Sequence, residues 1–117
     1  MSATFKDLTV WQKSYQLALD VYKVCEKMPS SEKYGLISQA QRCAVSIPSN
    51  LAEGQQRNNK LEFRQFIGVA KGSAAELFTQ LNLIQDIYNI DCIGILDKTE
   101  EVQKMLSSLI KSISPSN

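Results

Sequence analysis

The 117-residue sequence contains no histidine, and its opposite charges almost cancel. Histidine is the commonest general base near neutral pH and the commonest metal ligand, so its absence argues against many hydrolytic and metal-dependent active sites. Thirteen basic and 12 acidic side chains leave a net charge of +1. Composition therefore gives no electrostatic argument for nucleic acid or an anionic membrane as a partner.

Other absences narrow the function and the location of the protein. The chain has no E-x-x-H pair of the di-iron bundle type and no glycine-rich phosphate loop. Cys25, Cys43 and Cys92 are widely spaced, with no C-x-x-C motif. No signal sequence is recognisable, and no apolar run approaches the ~18 residues of a membrane span. We therefore expect a cytoplasmic protein with reduced thiols, no catalytic residue, no metal and no cofactor.

What the sequence does contain is helical periodicity, clearest in its third quarter. Phe63, Ala70, Leu77 and Ile84 recur every seven residues, and a second row offset by four residues accompanies them. Two such rows form an apolar seam on one helix face, as in helix bundles. Asn59, followed by Glu62, resembles a capping box at the start of a helix over about 59–88.

Three further blocks with the same periodicity predict helices over about 7–28, 31–54 and 95–113. Pro29 separates the first two, and Ser30 or Ser31 is expected to cap the second. Four helices with short connections predict an all-α fold, an antiparallel up-and-down four-helix bundle forming a single domain over residues 1–117.

The stretch "SIPSNLAEG", from Ser46 to Gly54, places a proline inside the second helix. Apolar spacing continues across Pro48, which predicts a kinked but continuous helix, with Ser46, Ser49 and Asn50 able to bond the freed backbone. Gly54 would suit the end of that helix.

A row of polar residues lies beside the apolar face of the second helix. Two interpretations remain open for it: a solvated outer face, or a partly buried seam against another helix or subunit. The row consists of Gln39, Arg42, Ser46, Ser49, Asn50 and Glu53.

The third helix carries an unusual run of small residues, "GVAKGSAAEL". Glycine in a helix interior costs roughly 1 kcal/mol relative to alanine. Gly68 and Gly72 therefore predict close contact with another helix, within the chain or in another chain.

Three segments, "VWQKSYQLALDVY", "EKYGLISQAQRCAVSIPSNLAEG" and "EFRQFIGVAKGSAAELFTQL", resemble the 23S rRNA-intervening-sequence protein family over roughly residues 5–113. The resemblance implies a short antiparallel four-helix bundle that assembles into a ring-like homopentamer. No molecular activity follows from it. A similar bundle is the accessory protein of diversity-generating retroelements, which is associated with a reverse transcriptase and nucleic acid.

The resemblance also implies which residues matter. Two departures from the family pattern are Gln41, where consecutive arginines are usual, and Cys43, where a small alanine is usual. The positions carried over are Gln39, Arg42, Ser46, Pro48, Asn50, Glu53, Gly54, Gly72, Ser73 and Glu76. We expect a polar network that fixes helix register, either within one bundle or at a subunit interface. Its members are Arg42, Ser46, Asn50, Glu53, Ser73 and Glu76.

Two functional hypotheses remain. The first is a non-enzymatic, self-assembling bundle protein. The second is a nucleic-acid-binding accessory protein that acts with RNA, DNA or a reverse-transcriptase-like partner, since a ring would multiply the charge of each subunit. The basic residues that would contact nucleic acid have an alternative interpretation as ordinary solvated side chains on the surface. These residues are Arg57, Lys60, Arg64 and Lys71.

Overall fold

Residues 4–113 of the chain, described by a computed structural model, are arranged as four α-helices without strands. The helices are α1 (Thr9–Cys25), α2 (Leu36–Gln56), α3 (Lys60–Tyr88) and α4 (Ile93–Ser112). Two single turns of 3₁₀-helix, Phe5–Asp7 and Ser30–Glu32, precede α1 and α2. The predicted all-α four-helix fold is confirmed, whereas residues 1–3 and 114–117 of the predicted domain lie outside the described residues.

Two asparagines determine where α3 begins and where it ends. The Asn59 side chain accepts a hydrogen bond from the Glu62 amide at 2.9 Å, which satisfies one of the unpaired donors of the first turn. Asn89 ends the helix with φ = 55°, a left-handed conformation that asparagine tolerates better than most residues. The 29-residue helix between them sets the 48 Å long axis of the molecule.

Both bounds of α1 and the start of α2 differ from the sequence prediction. Helix α1 begins at Thr9 rather than near residue 7, because Thr4 and Asp7 form a capping box that closes a separate 3₁₀ turn. It ends at Cys25 rather than 28. Neither Ser30 nor Ser31 caps α2, which begins only at Leu36.

The acidic side chain of Glu32 takes over the capping role at the start of α2. Its Oε1 accepts the Leu36 amide at 3.1 Å, and its Oε2 accepts the hydroxyl of Tyr88 from the end of α3. These two donors, Tyr88 first, lower the pKa of the Glu32 carboxyl. One carboxylate therefore fastens the start of α2 to the end of α3.

Helix packing is cyclic: α1 contacts α2, α2 contacts α3, α3 contacts α4, and α4 returns to α1, with α2–α3 the most extensive pair. Cross-helix hydrogen bonds join Ser46 to Ser73 and Cys43 to Gln80. The residue number of the bonded partner falls along α2 as it rises along α3, so these two helices run in opposite directions. One core lies between all four, centred on Leu17, Ile47, Leu51, Ile67, Leu77, Leu81, Ile84, Val102 and Leu106.

Gly54 does not end α2, which continues to Gln56, and its φ is not positive. A Cβ at this position would lie 2.6 Å from the Cβ of Phe66 and 3.0 Å from Cδ1 of Phe63. The glycine therefore serves close approach of the α2 and α3 backbones, not a left-handed cap.

Helix α2 passes through Pro48 without interruption, and the proline itself is buried. The continuous helix matches the sequence analysis, while the predicted bend at Pro48 stays a prediction. None of the helices within residues 4–113 is both long enough and apolar enough to cross a membrane.

We predict that Gly54→Ala lowers the free energy of unfolding by about 1–3 kcal/mol, because the added methyl overpacks the contact with Phe66. Gly94→Ala is the matched control, since a Cβ there meets nothing within 4 Å. It should leave stability unchanged or raised. Urea unfolding at one protein concentration measures both. Equal stability of the two variants would contradict the close-approach role.

We also predict a pH-dependent cost for Glu32→Gln, which keeps the shape of the side chain but removes its charge. A carboxyl whose pKa is lowered in the folded state stabilises the protein above its unfolded pKa, and this stabilisation is lost as the pH falls through the folded pKa. The urea midpoint of the variant should therefore lie below that of the wild type at pH 7. The gap should narrow as the pH falls below the ordinary value of 4.5.

Glu100→Gln on the exposed surface of α4 serves as the control for this comparison. It should follow the wild-type curve. A gap between Glu32→Gln and wild type that stays constant from pH 7 to pH 3 would show that the charge of Glu32 is not what joins the two helices.

Candidate functional site

Three residues of the predicted polar network meet between α2 and α3. The Asn50 side-chain amide donates to the carbonyl of Ser46 at 2.7 Å and to its Oγ at 2.9 Å. The hydroxyl of Ser73 donates to the same Oγ at 2.9 Å. Ser73 is buried, and its two partners are half-buried. This serine–asparagine cluster, defined as Ser46, Asn50 and Ser73, links the two helices within one chain.

The cluster accounts for part of the polar run around Pro48 by one of the interpretations left open, a partly buried seam against another helix. The proline has no N–H and leaves the carbonyl of Ala44 without its usual helical donor. Asn50 donates instead to the carbonyl of Ser46. Ser46 therefore fastens α2 to α3 through Ser73, and the Asn50 amide holds Ser46 from within α2 rather than bonding to Ala44.

The remaining members of the predicted network lie apart from the cluster. Arg42 is exposed, and its guanidinium donates to Ser38 Oγ at 3.1 Å. Glu53 is exposed and pairs with Arg57 at 2.8 Å, one turn along the chain. Glu76 is exposed as well and forms no ion pair within residues 4–113. The structure thus joins Ser46, Asn50 and Ser73 directly and places the three charged residues on the surface.

Gln80 extends the polar contact and was missed by the sequence analysis. It is only 8% exposed, and its amide nitrogen lies 3.5 Å from the Cys43 sulfur as donor. Its carbonyl Oε1 is a buried acceptor without a partner in the described part of the chain. The signal available in the sequence was its position, because it follows Ser73 by seven residues on the same helix face.

An apolar groove lies on the opposite side of α2, between α2 and α1. We call it the α1–α2 groove; it encloses about 520 Å³. Phe5, Trp11 and Tyr15 form a chain of aromatic contacts along one wall, with successive ring centroids 5.3 Å apart. The other lining residues are Ala18, Leu19, Tyr22, Val45, Pro48, Ser49 and Ala52.

The groove is open to solvent in the single chain. Tyr15, Leu19 and Tyr22 are 51%, 45% and 47% exposed. Sequence periodicity predicted a helix here, but it did not show that α2 leaves these side chains uncovered. At the end near Arg42 and Lys33 the groove continues into a second depression, which shares Tyr22 and Val45.

The outward side of α3 carries the small residues singled out in the sequence. A Cβ added at Gly68 or Gly72 would meet nothing within 4 Å, so these glycines allow no close helix contact within the described chain. Leu61, Val69, Leu83 and Ile87 are exposed on this helix. At 100° per residue they fall within an arc of about 80°. We call this surface, with Gly68, Gly72 and Glu76, the α3 outer face.

The family model for the 23S rRNA-intervening sequence protein matches residues 6–108, which is most of the chain. The chain belongs to the 23S rRNA-intervening sequence protein family. No curated protein matches the chain. The match covers the serine–asparagine cluster, the α3 outer face and all of the α1–α2 groove except Phe5.

Two of the four cations considered for nucleic-acid contact make structural bonds in this member of the family. Arg64 donates to the carbonyls of Ile110 and Ile113 at 2.5 and 2.6 Å, and so caps the negative end of α4. Arg57 pairs with Glu53 and Glu62 and stacks over the ring of Phe66. The other two candidates, Lys60 and Lys71, form no ion pair in the described range.

The three thiols of this family member are in environments that disfavour the thiolate. Burial is the largest cause that raises the pKa of Cys25, to about 11, and that of Cys43 and Cys92. A thiol must ionise to act as a nucleophile or metal ligand. Across residues 4–113 there is also no group of three or more Cys, Asp or Glu side chains placed to hold a metal ion.

We predict that Ser46 and Ser73 are energetically coupled, because each hydroxyl loses its cross-helix partner when the other is removed. A double-mutant cycle with Ser46→Ala and Ser73→Ala should give a coupling of about 0.5–1.5 kcal/mol in the free energy of unfolding. The control cycle pairs Ser73 with Ser49, which lines the α1–α2 groove on the other side of α2. Equal coupling in the two cycles would contradict the cluster.

Proposed function

We propose that this protein is a non-enzymatic, cytoplasmic, self-assembling helical bundle whose chains form a ring-like homo-oligomer. Five is the subunit number that the family resemblance implies. The observation that carries the proposal is the α1–α2 groove, a concave aromatic surface that the single chain leaves open. Apolar patches of this kind on soluble domains mark interaction sites.

The free energy gained by burying the apolar side chains of the groove favours a protein partner for this surface. Burying a large apolar side chain completely is worth roughly 1.5–3 kcal/mol. Tyr15, Leu19 and Tyr22 are each about half exposed, so covering them would contribute on the order of 1 kcal/mol per side chain. Tyrosine also loses little conformational entropy on burial and keeps a polar hydroxyl at the rim, which suits it to interfaces.

Chemical features of the site support a binding role over a catalytic one. The residues that line the groove are apolar or aromatic apart from Ser49, and none of them is charged. The thiols have raised pKa values caused by burial. The sequence also has no histidine, the commonest general base, to activate them.

Nucleic-acid association, alone or with a reverse-transcriptase-like partner, is the second candidate function. It would have to use Lys60 and Lys71 together with repetition of the subunit, since Arg57 and Arg64 are bonded within the chain. The net charge of +1 adds little attraction. We therefore place self-assembly first.

Light scattering on a sizing column tests self-assembly directly. A pentamer of 13.1 kDa chains has a mass of 5 × 13.1 = 65.5 kDa. We expect that mass at both low and high salt, because screening weakens charge contacts far more than apolar burial. A mass of 13.1 kDa over the whole accessible concentration range would refute the proposal.

A further inference from the structure

Two unlike surfaces of the bundle remain uncovered, and they complement each other in shape. The α1–α2 groove is concave and lined by aromatic side chains. The α3 outer face is a helix surface with two positions that carry no side chain, Gly68 and Gly72, each with open space in front of it. At such positions another element can approach the helix backbone closely.

The occurrence of these glycines has no explanation inside the single chain. Interior glycine destabilises a helix relative to alanine, and here nothing in the described bundle approaches either position. Gly54 differs in this respect, because its missing Cβ makes room for Phe66. The apolar side chains that flank the two glycines, among them Val69 and Leu83, are about half exposed as well.

The charges on the two surfaces are also complementary. The depression that continues the groove is lined by Lys33 and Arg42 and by no acidic residue. The exposed charges that follow the glycines on α3 are Glu76 and Asp86. None of these four side chains takes part in an ion pair within residues 4–113.

The spacing of the charged residues along the two helices agrees, and it fixes the direction in which the incoming α3 runs. Arg42 lies six residues before Pro48 on α2, about 9 Å along the helix axis, and Glu76 lies four residues after Gly72, about 6 Å along α3. A difference of this size is within the reach of an arginine side chain. When Gly72 of the incoming chain lies over Pro48, its Glu76 comes close to Arg42 only if the incoming α3 runs antiparallel to α2.

We infer that the α1–α2 groove of one chain receives the α3 outer face of a second copy of the same chain, head to tail. This inference rests on the proposed self-assembly and specifies which surfaces meet. A single contact between two different surfaces uses the groove of one copy and the outer face of the other, so the pair still has one free groove and one free outer face. Repetition of such a contact closes a ring when the rotation permits, whereas a contact between identical surfaces stops at a dimer.

The test blocks each surface separately in the full chain. Gly72→Gln fills the outer face without a clash inside the bundle, and Tyr15→Glu places a charge at a half-exposed position in the groove. We expect both variants to keep wild-type helicity and cooperative unfolding but to run at 13.1 kDa. Gly94→Gln, at an equally open helical glycine, is the matched control and should keep the assembled mass.

Mixing the two blocked variants then distinguishes a head-to-tail contact from the alternatives. The intact groove of Gly72→Gln and the intact outer face of Tyr15→Glu allow a single contact, so the mixture should contain a species of 2 × 13.1 = 26.2 kDa. The measurement is made at the concentration at which wild type assembles and again ten-fold above it. Absence of that species at both concentrations overturns the inference.

The remaining outcomes also decide the question. If Gly72→Gln assembles normally, the groove contacts another groove or a different partner, and the inference is wrong although self-assembly stands. If Tyr15→Glu assembles normally, the outer face contacts its own copy, with the same consequence. A monomeric wild type would instead refute self-assembly itself.

Discussion

The contact between α2 and α3 is the constraint on which the rest of the structure depends. It is fastened at three levels: Gly54 against Phe66 at one end, the serine–asparagine cluster in the middle, and Glu32 with Tyr88 at the other end. Each level uses a different interaction, namely close backbone approach, a partly buried hydroxyl pair and a charge-assisted hydrogen bond. Because all three must align together, the axial register of the two helices is specified more strongly than apolar packing alone would achieve.

This register determines which surfaces remain open. With the polar side of α2 engaged by α3, Pro48 turns its ring toward α1 and forms part of the groove with Val45 and Ala52. On α3, the side that contacts α2 carries Ser73 and Gln80, which turns Gly72 away from α2. The groove and the outer face are therefore consequences of one helix pairing, and a shift of that pairing would alter both.

Much of this fold could be predicted from the sequence, because its signals are local. Seven-residue spacing located all four helices, and Asn59 marked the start of α3 through its own side chain. Two of the errors, at Glu32 and Gly54, lie where a distant residue decides the outcome. Glu32 replaced the predicted serine caps because Tyr88, 56 positions away, holds its carboxylate in place. Gly54 was interpreted as a helix end because Phe66 cannot be placed beside it from spacing alone.

The candidate site also combines features that local sequence signals predict with features that depend on tertiary contacts. Ser46, Asn50 and Ser73 were all expected in one polar network, but the pairing of Ser46 with Ser73 and the burial of Gln80 required the tertiary arrangement. The groove was invisible because periodicity shows which residues share a face and not whether a neighbour covers it. An apolar row on α1 predicts burial equally well within one chain and between chains.

The central claim, that the groove is covered by another copy of the chain, can be tested with the only tryptophan of the protein. Trp11 lines the groove and no other indole contributes to the fluorescence. Acrylamide quenching should be weak in the assembled protein and should rise as dilution releases monomers, in step with the fall in mass measured by light scattering. A mass that falls while quenching stays constant would show that the chains associate through some other surface.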